Sequence, residues 1–179
     1  LLKQAGLNFA AVDSALDENT VPFADSPSQY VKTLAEAKAK KVSVNYPDNW
    51  VIGADTIVLI DEIILKKPGT REKAFNMLQR LSGRTHQVLT GFCICCETKE
   101  KSFSDTVMTD VEFKKLNKNE IDRYVNTDEP LDKAGAYAIQ GKSAFFVKSI
   151  NGSYTNVVGL PVCEVVEYLV KEGTINFSS

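Results

Sequence analysis

Trp50-Val51-Ile52-Gly53-Ala54-Asp55-Thr56 is the stretch on which the fold turns. Its first five residues are an unbroken apolar run, the mark of a strand buried on both faces. The run stops at Asp55-Thr56. Beyond it, Ile57-Val58-Leu59-Ile60 and Ile63-Ile64-Leu65 flank Asp61-Glu62. That pattern predicts a hairpin, although the turn lacks the favoured glycine.

Upstream, Ser26-Pro27 offers an N-cap followed by a first-turn proline. Tyr30, Val31, Leu34, Ala35 and Ala37 follow at helical spacing, which predicts a helix over about 27–41, broken at Tyr46-Pro47. Residues 8–16 read as a short strand. Leu1-Leu2-Lys3-Gln4-Ala5-Gly6 reads as the last turn of a helix capped by Gly6, which leads us to expect more chain upstream and no signal peptide.

Downstream, Thr70 caps a predicted helix over about 71–81 that turns Ala74, Phe75, Leu78 and Leu81 inward. Two β-rich segments, about 85–97 and 101–113, meet at Thr98-Lys99-Glu100. Asn117 and Glu120 form a capping-box pattern for a short helix. Residues 143–150 read as a strand and Asn151-Gly152 as a hairpin turn. Pro161 opens a last helix that ends at Gly173. The expected fold is α/β: a mixed, twisted β-sheet flanked by helices, in a single domain over residues 1–179.

The 179 residues are 44% hydrophobic and 25% charged, with a formal net charge of −2. That composition suits a folded globular chain and leaves no electrostatic footprint for sequence-independent nucleic-acid binding. No apolar run is long enough to span a membrane. Cys93, Cys95 and Cys96 crowd one strand and Cys163 stands apart, a pattern of neither a disulfide framework nor a zinc site. Reduced thiols in a cytoplasmic protein are the simpler expectation. The single histidine, His86, argues against a His-rich metal site and against a Ser-His-Asp scheme.

Several segments are suited to chemistry. Asp55 leaves a buried strand where α/β folds place ligands, so it is placed to hold a metal or activate water; the alternative is that it caps a turn. Partial burial would raise its pKa and a neighbouring lysine or cation would lower it. Lys66, Lys67 and Lys38 can each meet a phosphate as a compact point charge, or simply be solvated. Glu18 lies in an acidic loop. Asp132-Lys133-Ala134-Gly135-Ala136-Tyr137-Ala138-Ile139-Gln140-Gly141 alternates small with functional residues. In a strand-like run, Gly141 would let a base approach, and a buried Gln140 would offer a donor and an acceptor to its edge. Otherwise the run is a strand packed closely on a neighbour.

The blocks Val51–Thr56, Lys67-Pro68, Leu81-Ser82-Gly83-Arg84-Thr85-His86, Glu129–Tyr137 and Val157-Val158-Gly159-Leu160-Pro161 resemble the Maf family, in order and with compatible spacing from Leu1 to about Gly173. That family comprises nucleoside triphosphate pyrophosphatases first named for effects on septum formation. The resemblance implies a fold shared with inosine-triphosphate pyrophosphatases and hydrolysis of a nucleoside triphosphate to monophosphate and pyrophosphate with a divalent cation, Mg²⁺ or Mn²⁺. It implies Asp55 as general base, Glu18 and Asp55 as metal ligands, and Lys38 and Lys67 as substrate-binding cations. Ala54 and Thr56 around the aspartate, and Ile139-Gln140-Gly141, resemble the dTTP/UTP branch, so Thr56 and Gln140 match its specificity positions. The family's opening strand and Ser-x-Ser-Pro-Arg-Arg phosphate loop precede the helix that ends at Leu1-Leu2 and are not in this sequence. A second copy of the chain is a candidate partner. The competing expectation is a nucleotide-binding regulator of cell division that does little chemistry.

Overall fold

The computed structural model describes residues 1–23 and 26–176. Its centre is a five-stranded sheet: β1 (Val51–Ile60), β2 (Ile63–Leu65), β3 (Thr85–Cys96), β4 (Lys101–Phe113) and β5 (Val147–Asn151). The order across the sheet is β2-β1-β3-β4-β5, and all of these pairings are antiparallel. The helices are α1 (Pro27–Ser43), α2 (Arg71–Leu81), α3 (Lys118–Val125), α4 (Tyr154–Val158) and α5 (Val162–Lys171). The helix-flanked sheet expected from the sequence is present, but the described strands pair antiparallel throughout where a mixed sheet is expected, because neighbouring strands are joined by turns or return connections rather than by parallel crossovers. β3 is its middle strand, buried continuously from Val88 to Cys96.

The strand pleat sends successive side chains to opposite faces. On one face Ile57, Leu89, Cys93 and Cys95 pack against Val31, Ala35 and Ala39 of α1. On the other, Val58, Val88 and Val111 meet Leu78 and Leu81 of α2 and Ile121 and Tyr124 of α3, while Phe92 and Ile94 meet Val165 and Leu169 of α5. Two glycines set the depth of α1. A Cβ on Gly53 would lie 2.4 Å from the Ala35 carbonyl oxygen, and one on Gly91 2.4 Å from that of Val31. The helix backbone therefore rests on the sheet itself, which brings its side chains within reach of β1.

Local signals explain most element ends. Ser26, Thr70 and Asn117 each accept a backbone N–H of the first turn, and Asn117 with Glu120 completes a capping box. The first residues end as expected: Gly6 sits at φ 76°, with Gly6 N–H donating to Lys3 and Leu7 N–H to Leu2. That is the bonding of a glycine-terminated helical turn. The β1–β2 hairpin closes through Asp61 and Glu62, both at positive φ, in the backbone form that glycine would adopt more cheaply.

The structure also differs from expectation along the chain. β1 does not stop at Asp55-Thr56 but runs on to Ile60, because both residues pair across to β3. Residues 8–16 form no strand. The segment 143–150 begins as a 3₁₀ turn at Ala144–Phe146 and becomes β5 only from Val147. Asn151-Gly152 makes no hairpin; Ser153 captures the Asn156 N–H and starts α4 instead. Beyond Thr109, towards Lys101, β4 has no strand on its outer side among the described residues. There the Thr106 N–H donates to the Asp105 carboxylate next to it, at 2.7 Å.

Candidate active site

Asp55 projects from β1 towards α1, on the same face as Gly53. One α-helical turn beyond Leu34, Lys38 reaches down from α1 and places Nζ 2.6 Å from Asp55 Oδ1. The same nitrogen lies 2.7 Å from Oε1 of Glu18. Glu18 opens a 3₁₀ turn, Glu18–Thr20, whose start is capped by Asp17 accepting the Asn19 N–H at 3.0 Å. Lys41 Nζ donates to the Ala15 carbonyl just before it, tying this loop to α1. The sequence expectation thus finds Glu18, Lys38 and Asp55 together, drawn from a loop, a helix and a strand.

Their exposure differs and so do their protonation equilibria. The Asp55 side chain is 11% exposed and that of Glu18 is 43%. Burial pushes the Asp55 carboxyl above the usual carboxylate range, against the hydrogen bond from Lys38 that pulls it down. Glu18 goes the other way: the Lys38 hydrogen bond holds it below its ordinary value despite partial burial. For Lys38, burial is the largest influence and favours the neutral amine, but hydrogen bonds to Asp55 and Glu18 together outweigh it and raise its pKa. The lysine is a fixed positive charge between two carboxylates of unequal basicity.

A cleft of about 340 Å³ opens beside this cluster, lined by Lys38, Asp55, Thr56, Lys67, Asp132 and Gln140 among others. A neighbouring groove of about 720 Å³ runs under residues 8–14 and is also lined by Glu18 and Lys38. Lys38 stands on the wall between the two. The paired lysines after β2 separate: Lys67 is exposed at the cleft, whereas Lys66 donates to the Tyr30 hydroxyl at 2.8 Å and lies over that ring. Lys67 lowers the carboxyls of Glu18 and Asp55 through space, behind the effect of Lys38.

The segment carrying Gln140 is not strand-like, and Gln140 itself is not buried, although Gly135, Ala136 and Tyr137 before it are. Gln140 is exposed, in a turn that follows the 3₁₀ turn Ala134–Ala136. On its Cβ side Gly141 is already covered. A Cβ there would lie 2.0 Å from Glu129 Oε1, because the Glu129 carboxylate fills that space and accepts the Lys142 N–H at 3.0 Å. Ser143 ties the turn shut through Ala138, donating to its carbonyl and accepting its N–H, both at 3.0 Å. His86 anchors the same segment from below. It is buried, with Nε2 2.9 Å from the Tyr137 hydroxyl, and burial pushes its pKa down to about 4. That makes it a neutral packing residue at pH 7. Cys93, Cys95, Cys96 and Cys163 are all free thiols.

Thr56 points to the face of β1 opposite Asp55. Its Oγ1 is 2.9 Å from that of Thr90, which in turn donates to the Asn156 carbonyl at 3.1 Å. Sequence reasoning missed Thr90 and Asn156. The signal for Thr90 was a hydroxyl amid Val88-Leu89-Thr90-Gly91-Phe92, a run otherwise without hydrogen-bonding side chains.

Glu18 and Asp55 each bring a hard carboxylate oxygen to the Lys38 ammonium that lies between them. Such oxygens suit Mg²⁺ or Mn²⁺, ions bound typically through one or two carboxylates together with phosphate oxygens and water. No cluster of three or more His, Cys, Asp or Glu side chains able to hold a metal occurs among the described residues. Nor is any described helix long and apolar enough to cross a membrane.

The sequence model of the Maf-like protein family matches residues 1–172. Among curated proteins, the chain is 47% identical over 176 residues to the dTTP/UTP pyrophosphatase of Clostridium botulinum strain Kyoto, covering 97% of this chain and 91% of that protein. It is 44% identical over 178 residues to the dTTP/UTP pyrophosphatase of Syntrophus aciditrophicus (99% and 86% covered). It is 47% identical over 175 residues to that of Desulfotalea psychrophila (98% and 89% covered).

Proposed function

This chain belongs to the Maf-like family, and from that premise we propose that it hydrolyses dTTP and UTP to the monophosphate and pyrophosphate. The observation that supports the reading best is Lys38 Nζ pinned between Glu18 and Asp55 beside a cleft that Lys67, Thr56 and Gln140 also line. Asp55 acts as general base: its carboxylate takes a proton from water, whose oxygen bonds to the α-phosphorus as the bond to the bridging oxygen of the β-phosphate breaks. A base of raised pKa is the better proton acceptor, and burial supplies that rise at Asp55. Lys38 and Lys67 meet the charge of the phosphates. A divalent cation, Mg²⁺ or Mn²⁺, would be held by Glu18 and Asp55 and would offset the charge of the departing pyrophosphate. Thr56 and Gln140 face the base.

We place the protein in the cytoplasm, where its free thiols stay reduced and nucleotides are abundant. We further propose that two copies of the chain associate as a homodimer, which sedimentation velocity would test. The functional test is release of pyrophosphate from a panel of nucleoside triphosphates with Mg²⁺, by this chain and by one carrying the family's phosphate loop ahead of Leu1. Turnover of dTTP and UTP ahead of the others is the expected result. Binding of nucleotide without turnover by either protein would instead support a regulator of cell division.

A further inference from the structure

The direction of hydrogen bonding on the far face of β1 can be worked out atom by atom. Thr56 and Thr90 lie directly across the β1–β3 ladder with their Oγ1 atoms 2.9 Å apart, and either could be the donor. The next contact settles it. Thr90 Oγ1 lies 3.1 Å from the backbone oxygen of Asn156, an atom that can only accept. The Thr90 proton therefore goes to Asn156, and the Thr56 proton must go to Thr90.

The acceptor at the end of this chain is itself fixed. Asn156 Nδ2 donates to the Val88 carbonyl at 3.1 Å and to Thr109 Oγ1 at 2.9 Å, and the Asn156 carbonyl also accepts the Gly159 N–H at 2.9 Å. Thr90 and Asn156 are fully buried, so bulk water does not compete. With its proton committed inward, Thr56 has only lone pairs left for the cleft that it lines with Gly159, where even a Cβ on the glycine would come no closer to its Oγ1 than 3.6 Å.

We propose that Thr90 is a positioning residue that sets base choice, by holding the Thr56 hydroxyl as an obligate acceptor towards the ligand. The inference rests on the dTTP/UTP reading above. A base that presents a ring N–H, as uracil and thymine do at N3, finds its partner. Cytosine presents a bare N3 and meets lone pair with lone pair. Neither group is charged, so the discrimination comes from an unpaired polar contact in the wrong complex.

Thr90→Val removes the acceptor while nearly keeping the shape, and the Asn156 carbonyl keeps its Gly159 partner. The Thr56 hydroxyl can then turn and donate outward. The UTP/CTP ratio of kcat/KM should fall about tenfold, with the value for CTP rising in absolute terms. Thr90→Ser should restore the ratio. In a Thr56→Val background, Thr90→Val should leave the ratio where it is. Calorimetric titration with UMP and CMP reads the same preference without turnover. A ratio unchanged in Thr90→Val, or UTP and CTP constants that fall together, overturns the proposal. Failure of the unmutated protein to hydrolyse UTP overturns the pyrophosphatase reading instead; UMP and CMP binding then decides this one, and equal affinity for the two overturns it.

Discussion

On the α1 side of β1, Asp55 meets Lys38 and Glu18 within 2.7 Å of one nitrogen. On the other side, one residue along, Thr56 meets Thr90, and Thr90 meets Asn156, through neutral hydroxyl and carbonyl groups. The pleat makes this division unavoidable, since adjacent residues of a strand cannot share a face. The physical tasks divide with it. Charges act strongly and over distance, which suits a ligand group with several negative charges. Oriented neutral dipoles act only at contact, and they reject a ligand whose donor and acceptor are exchanged. A strand that ran between two apolar layers for its whole length would have neither capability.

The sharpest way to break this division is Asp55→Asn. The amide keeps the shape, loses the charge and cannot take a proton, so turnover should fall by about 10²–10⁴-fold while the fold is retained. Steady-state rates at saturating Mg²⁺, with a thermal melt alongside, check both halves. Near-unchanged turnover would remove Asp55 from the chemistry.

Lys38→Met tests the electrostatics of the charged side in the metal-free protein. Burial raises the Asp55 pKa and Lys38 opposes that rise. Removing the lysine leaves burial and the Glu18 charge, which favour the protonated acid, opposed by the weaker pull of Lys67. The Asp55 carboxyl should therefore titrate at still higher pH, read by carbon NMR of the labelled side chain. Movement to lower pH would mean that the Lys38–Asp55 contact is not what the geometry indicates. Glu18, held down mainly by the same lysine, should rise in parallel.

Lys67→Ala is a milder perturbation, because this side chain is exposed. Triphosphate affinity should weaken about tenfold and monophosphate affinity much less, measured by calorimetry with UTP and UMP. Equal losses would place Lys67 outside the phosphate site. The smallest effect is expected for Gln140→Glu. Because Gln140 lies in an exposed turn, water offsets most of what its amide could contribute. The UTP/CTP specificity ratio should change only about threefold. A change larger than that of Thr90→Val would move base reading from the neutral face of β1 to this turn.

What could be read in the sequence was whatever depends on neighbours in the chain. Thr70 and Asn117 announce α2 and α3 because a cap and its N–H are three residues apart. The apolar run at Trp50–Ala54 marks β1 for the same local reason. The end of β1 was misplaced because Asp55 and Thr56 look like a breaker until β3 supplies their pairing partners. Asn151-Gly152 carries the pattern of a hairpin, but the Ser153 cap and the close fit of Gly152 on Thr109 send the chain into α4. Asp55 stands out at the exit of an apolar run and Lys38 as a candidate phosphate cation, and family resemblance adds Glu18 as a metal ligand; their convergence depends on α1 settling on Gly53 and Gly91. The alternation of small residues around Gln140 points to a strand. The Glu129 carboxylate under Gly141 could not be foreseen from that spacing.

The outer border of β4 has a bearing on how copies of the chain behave in a crowded solution. A row of unpaired amides along a strand invites another strand to add to it. At Thr106 the donor is already taken by the Asp105 carboxylate beside it, so an incoming chain meets a negative charge where it would need a free N–H. The formal net charge of −2 gives copies little mutual repulsion at long range. Along the stretch of β4 that no described strand covers, keeping them dispersed falls instead to single side chains of this kind, of which Asp105 is one. Its replacement by an apolar residue would be felt in shelf life and concentration limit before it was felt in folding.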